Sequence, residues 1–187
     1  MDSTHTIDEN LYSRQLYVLG HKAMENLSNA RVLISGLGGL GNEIAKNLVL
    51  SGIKSLVLHD TKTTTIHDLG TNYYLSESQI GINRAICNKK LAELNSYVDV
   101  TTYDGELTEE YLVQFDVVVM TEELCEQELI RINKIVRNNG AFIMADSRSV
   151  FGRIFCDFGI FDVYDINGEE PFTSIVKDID GDVIRCI

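Results

Sequence analysis

Three observations predict an α/β domain, doubly wound around a mostly parallel sheet. Unbroken Val/Ile/Leu runs recur along the chain, helix-spaced segments alternate with them, and a glycine-rich loop joins the first run to the first long helix. At 187 residues, 44% of them hydrophobic, the chain can bury roughly 70% of its extended surface, enough for one sizeable core.

The elements follow in order. Leu11, Leu16, Leu19, Ala23 and Leu27 recur every three or four residues, so the first thirty residues read as helix, with Gly20 the break between two short ones. RVLISG (31–36) is a strand, GLGGLG (36–41) a loop, GNEIAKNLVLSG (41–52) a helix and SLVLHD (55–60) a second strand. Together they have the size of one β–α–β crossover and predict a Rossmann-like sheet. INRAICNKKLAELN (82–95) has helical spacing, VDVTTY (98–103) and FDVVVMT (115–121) read as strands, QELIRINKIVRNNG (127–140) as a helix closed by Asn-Gly, and AFIMAD (141–146) as a strand. Beyond residue 146, β-formers cluster between Gly-, Asn- and Asp-rich turns, and Asp180-Gly181 signals a hairpin. Pro171, the only proline, lies in GEEPFT and sets a boundary near 168–171. We therefore expect a domain over 1–170 and, over 171–187, the truncated start of a β-rich module too short for its own core.

Charge narrows the function classes. The net charge of −12 is uneven: residues 1–100 hold 10 acids and 9 bases, residues 101–187 hold 18 and 7. That balance argues against nucleic acid as a partner, which needs a basic stripe, and against a polybasic membrane contact. No apolar run approaches the ~18 residues of a membrane span, and the opening MDSTHTIDEN is polar, unlike a signal peptide. Cys87, Cys125, Cys156 and Cys186 have no metal-ligand spacing, and nothing in the sequence around Cys125 would activate it as a nucleophile. Reduced thiols in the cytoplasm and nucleus are the expectation.

GLGGLG fits the spacing G-x-G-x-x-G through Gly36, Gly38 and Gly41, with Gly39 inside it. Such glycines allow a tight turn and close backbone approach, and a helix N-terminus favours a phosphate. Asp60 ends the next strand, 24 residues after Gly36, near the ~20 expected of a carboxylate holding a ribose hydroxyl. The same glycines also serve strand–helix packing without a ligand, and the motif alone leaves both readings open. A nicotinamide-dependent oxidoreductase is one alternative, although it would need a catalytic Lys, His or Tyr beyond this segment.

LYSRQLYVLG (11–20), RVLISGLGGLGNEIAKNLVLSGIKSLVLHD (31–60), DLGTNYYLSESQIG (68–81), LAELNSYV (91–98) and GEEP (168–171) together resemble the N-terminal part of ubiquitin-activating enzymes. The resemblance implies the first, inactive one of two related adenylation folds, followed by the start of the first catalytic-cysteine half-domain. The intact enzyme would use ATP and Mg²⁺ to adenylate the C-terminus of ubiquitin and form a thioester on a cysteine outside this chain. Its partners would be the active adenylation half, ubiquitin and ubiquitin-conjugating enzymes.

The active half carries an arginine, a lysine and a magnesium-binding aspartate. Their positions fall near Gly70-Thr71-Asn72, at Ile82-Asn83 and near Thr121-Glu122-Glu123. The segment Glu122, Glu123, Glu126 and Glu128 would repel a triphosphate without metal, so the loop of Gly36, Gly38, Gly39 and Gly41 with Asp60 reads as vestigial, and we expect no cofactor in this chain itself. Arg14 in YSRQ matches the arginine that reaches the ATP phosphates of the active half, the alternative being a cap or salt bridge on its own helix. A subunit of a heterodimeric activating enzyme for another ubiquitin-like protein is the other alternative. His5, His21, His59 and His67 are scattered, Tyr73 and Tyr74 are expected to pack beneath the crossover, and Arg131, Lys134 and Arg137 to form a solvated face.

Overall fold

A computed structural model describes residues 8–122, 124–160, 176–180 and 183–186. Two short helices, α1 (Ser13–Leu19) and α2 (His21–Asn29), meet at Gly20, whose φ of 79° makes the sharp break. Then follow β1 (Arg31–Ser35), α3 (Gly39–Ser51), β2 (Ser55–His59), α4 (Asn88–Ala92), β3 (Asp99–Tyr103), α5 (Glu109–Leu112), β4 (Val117–Met120), α6 (Glu126–Val136), β5 (Ala141–Arg148) and β6 (Phe151–Asp157). The strands form one sheet in the order β3-β2-β1-β4-β5-β6, parallel except for the antiparallel β5–β6 pair. β7 (Val176–Asp180) and β8 (Val183–Cys186) pair antiparallel with each other. The turn at Gly181 and the boundary around Pro171 lie outside the described residues.

Alternation along β1 builds two cores. Val32 and Ile34 pack with Ala45 and Val49 of α3 and Leu91 of α4. Leu33 points the other way, into a cluster with Ile132 and Val136 of α6 and Phe142 of β5. A sheet covered on both faces explains the continuous apolar runs.

α1 buries no residue of its own and is held at its edges. The ring of Tyr12 lies against Gly52, where φ is 81° and a β-carbon would stand 2.5 Å from the phenol oxygen. Asn95 Nδ2 donates to that oxygen (2.7 Å) and to the Val49 carbonyl (2.9 Å), and Gln15 Nε2 donates to the Ser51 carbonyl (3.0 Å).

Two elements differ from the sequence reading. Helical spacing over 82–95 yields only a 3₁₀ turn at Arg84–Cys87 and the short α4. The backbone ahead of Arg84 is engaged elsewhere: Thr64 N–H donates to the Ile82 carbonyl, and Arg84 N–H to the Lys62 carbonyl. α5, which periodicity does not announce, is capped by the Thr108 side chain accepting from Tyr111 N–H, with Glu109 and Glu110 in its first turn.

β2 and β4 flank β1, and the chain winds outward from it in both directions. Loops beyond the carboxyl ends of β1 and β4 therefore diverge and leave a crevice, the place where open α/β sheets bind ligands.

Candidate functional site

The glycine loop lies in this crevice, and its glycines have different duties. Gly36 has φ of 98°, and a β-carbon there would lie 2.6 Å from the Glu122 amide nitrogen. At Gly41 it would lie 1.9 Å from the Gly36 carbonyl oxygen and 2.7 Å from Thr121 Oγ1. These two set the turn and the close approach of α3 to β1 and β4. At Gly39 a β-carbon would meet Thr71 Cβ at 2.8 Å, because the segment after the 3₁₀ turn Asp68–Gly70 packs on the start of α3. Asn72 in that segment is buried and accepts from the Tyr74 amide (3.0 Å). Beneath it, burial pushes the Cys87 thiol up to about 11, against a hydrogen bond with Asn72. Gly38 alone is open, with only Arg84 Nη1 near its missing side chain, at 3.6 Å.

Asp60 stands at the end of β2, where a ribose-binding carboxylate would be, and it is fully engaged. Oδ2 accepts from Leu37 N–H (2.6 Å) and Arg84 Nε (2.9 Å), Oδ1 from Lys62 N–H (2.7 Å) and Arg84 Nη2 (3.0 Å). Arg84 Nη1 turns to Asp68 Oδ1 at 3.3 Å. Burial opposes the guanidinium's charge, and hydrogen bonds and attraction from Asp60, then Asp68, hold it above its ordinary range. Burial alone would raise the Asp68 carboxyl, but the Thr65 amide and hydroxyl and Arg84 outweigh it and hold it below the usual carboxylate value.

The lysine position of the active half falls by resemblance at Ile82-Asn83, which is uncharged, and the sequence reading did not single out Arg84, the next residue. Asn83 instead positions the turn: its Nδ2 donates to the Asp60 carbonyl (2.7 Å) and its Oδ1 accepts from Ala85 N–H (2.8 Å). A cation does enter the crevice, but two aspartates already neutralise it.

Beside the glycine loop opens a cavity of ≈ 640 Å³, lined by Ser35, His59, Thr61 and Glu122 among others. The Glu122 side chain is 4% exposed; it accepts from Thr61 Oγ1 (2.7 Å), and Lys62 Nζ lies 3.9 Å away. His59 is buried, its Nδ1 sharing a hydrogen bond with Ser35 Oγ (2.8 Å). Asp104, Glu106 and Glu128 stand on the cavity's lining, and Arg131, which also lines it, is paired to Glu128. Glu123 and His5 lie outside the described residues.

Arg14 is far simpler. It projects from α1 exposed, and its guanidinium meets no carboxylate among the described residues. Leu11, Tyr17, Val18 and Leu19 on and beside that helix are also exposed. Of the tyrosine pair, Tyr74 is buried in the α3 core as expected, whereas Tyr73 is 87% exposed. Arg137 reaches Asp157 (3.5 Å), so the expected solvated face of α6 is in part an ion-paired one.

The family model described as the ThiF family matches residues 12–126. Ubiquitin-like modifier-activating enzyme 1 of Rattus norvegicus is 49% identical over 187 residues, and ubiquitin-activating enzyme E1 1 of Schizosaccharomyces pombe 51% over 181. These alignments cover 97% and 95% of this chain, which spans 18% of the length of either relative. Among solved structures, E. coli MccB with SeMet MccA aligns with a TM-score of 0.65 and 25% identity, over 83% of this chain and 50% of that one. The microcin C7 biosynthetic enzyme MccB in complex with N-formylated MccA aligns at 0.62 and 26%, over 78% of this chain and 45% of that one.

Proposed function

Because the chain belongs to the ThiF family, we propose that it is the non-catalytic adenylation half of a longer ubiquitin-activating enzyme. Half-identity along nearly its whole length to such enzymes supports that placement. The intact protein would use ATP and Mg²⁺ to join AMP to the ubiquitin carboxylate, releasing pyrophosphate. It would then pass the acyl group to a cysteine outside this chain and on to ubiquitin-conjugating enzymes, in the cytoplasm and nucleus.

The saturation of Asp60 carries the assignment of this half as scaffold. Adenylation needs free positive charge, or a free carboxylate for Mg²⁺, where the phosphates lie. Here Asp60 and Arg84 consume each other, and the buried Glu122 adds negative charge to the same crevice. These residues do not fit a nucleoside triphosphate, and no step of the reaction is assigned to them.

What this half contributes lies on α1. Arg14 would cross to the active half and bind ATP phosphate oxygens through two parallel hydrogen bonds, stabilising charge in the transition state. The exposed apolar residues around it suit a helix that another unit covers. In the full-length protein, Arg14→Ala should cut ubiquitin-dependent pyrophosphate–ATP exchange by about tenfold or more, as loss of one charged donor to a reacting phosphate does. The melting temperature of the isolated chain should not move, since Arg14 meets no carboxylate among the described residues. An unchanged exchange rate would remove Arg14 from the mechanism.

A further inference from the structure

We infer that Arg84 is a built-in occupant of the glycine-loop crevice, its guanidinium standing where a bound nucleotide would present its ribose to Asp60 and its phosphates to Gly38. The inference rests on the scaffold reading and adds what keeps the crevice shut. An ionised carboxylate offers about four lone-pair sites. Asp60 uses two on the amides of Leu37 and Lys62 and two on the fork of Arg84. None is left for a ribose hydroxyl. The remaining arm, Nη1, lies over Gly38, the glycine whose missing side chain would let a phosphate approach, and is held there by Asp68.

The side chain is not a chance visitor. Arg84 N–H is fixed to the Lys62 carbonyl, and Asn83 clamps the preceding turn to the Asp60 backbone. Its side chain is 12% exposed, so the fork is shielded from solvent exchange. Both acceptors, Asp60 and Asp68, are themselves held by backbone amides of the same loops. A ligand would have to break the bidentate pair and the Asp68 bond before making any contact of its own.

Titration calorimetry of the purified chain with adenosine tests this, because adenosine carries the ribose without the phosphates that the surrounding acids repel. The wild-type chain should give no binding heat at millimolar adenosine. Arg84→Ala should bind at least about tenfold more tightly, and adding Asp60→Asn should remove the gain. No gain in Arg84→Ala, or wild-type binding as tight as the variant's, overturns the inference. If circular dichroism shows Arg84→Ala unfolded, Arg84→Lys decides. A lysine keeps the charge but not the fork, frees part of Asp60, and should bind adenosine measurably; affinity equal to wild type again overturns it. Failure of this titration leaves the Arg14 exchange assay untouched, and the reverse holds too.

Discussion

Gly41→Ala in the isolated chain should be among the most damaging single-methyl additions it can suffer. The new β-carbon would lie 1.9 Å from the Gly36 carbonyl oxygen and 2.7 Å from Thr121 Oγ1. Neither neighbour can yield cheaply, since one is backbone and the other donates its hydroxyl to that same Gly36 carbonyl at 2.6 Å. α3 must therefore lift from β1 and β4. Overpacking of this kind costs about 3 kcal/mol, and the lost hydroxyl bond about 1 kcal/mol more. Alanine's better helix propensity returns about 1 kcal/mol. A net loss of about 3 kcal/mol in a chain this size lowers the melting temperature by roughly 6–12 °C. Gly38→Ala is the control. Its φ of −66° suits any residue, and the new carbon would have Arg84 Nη1 at 3.6 Å, an ordinary contact. A slightly worse N-cap and a stiffer unfolded chain nearly cancel there, leaving a change within about 0.5 kcal/mol. Thermal melts followed by circular dichroism separate the two. If Gly41→Ala melts within about 2 °C of wild type, or if both variants fall equally, the division of labour among the glycines is wrong.

Thiol chemistry and acid give two further checks. Burial that pushes Cys87 to about 11 makes it inert to iodoacetamide at neutral pH, while the exposed Cys125 and Cys156 should be alkylated in the folded chain. Mass spectrometry of tryptic peptides reads each site, and Cys87 labelled as fast as Cys125 without denaturant refutes the burial argument. For Asp116, burial would raise the carboxyl, but the side-chain and backbone hydrogen bonds from Arg31 win and hold it below its ordinary 3.8. A carboxyl whose folded value is depressed stabilises the fold above its unfolded value, and that contribution is lost as pH falls through the folded one. Melting temperature should hold steady down to about pH 4 and then fall. Asp116→Asn should flatten that fall, by a small amount because the pair is nearly half exposed; parallel curves for the two proteins would refute it.

The unit from Arg31 to Asp60 was legible because its signals are local. An apolar run, three spaced glycines and a 3.6-residue period each act within a few residues, and the observed register of β1 with β2 follows them. Arg84 was not legible, because its partner Asp60 is 24 residues away across a segment of turns and 3₁₀ helix that carries no period. The position that the resemblance marks, Ile82-Asn83, is an uncharged turn, and the guanidinium that reaches Asp60 belongs to the next residue. The shortening of the 82–95 helix has the same origin, since its first backbone groups are taken by residues 62–64. α5 is announced by Thr108-Glu109-Glu110, a cap followed by acids in the first turn, and not by any hydrophobic period. Tyr73 and Tyr74 diverge because they are the two central residues of a turn, closed by the Leu75 amide on the Asn72 carbonyl, which sends one ring to solvent and the other into the core.

The crevice also explains why acidity matters locally and not as a total. Arg84 and Lys62 are its cations, while Asp60, Asp68 and Glu122 are its carboxylates, so the ionised crevice is net negative before any ligand arrives. A triphosphate would have to displace Arg84 from two acids and then sit beside Glu122, whose side chain is almost wholly buried and weakly screened. The neutral adenosine moiety meets only the first obstacle. Gly36 and Gly41 say nothing about either ligand, because packing alone requires them to lack a side chain. The motif's bearing on nucleotide chemistry therefore reduces to Gly38 and Asp60, and one arginine covers both.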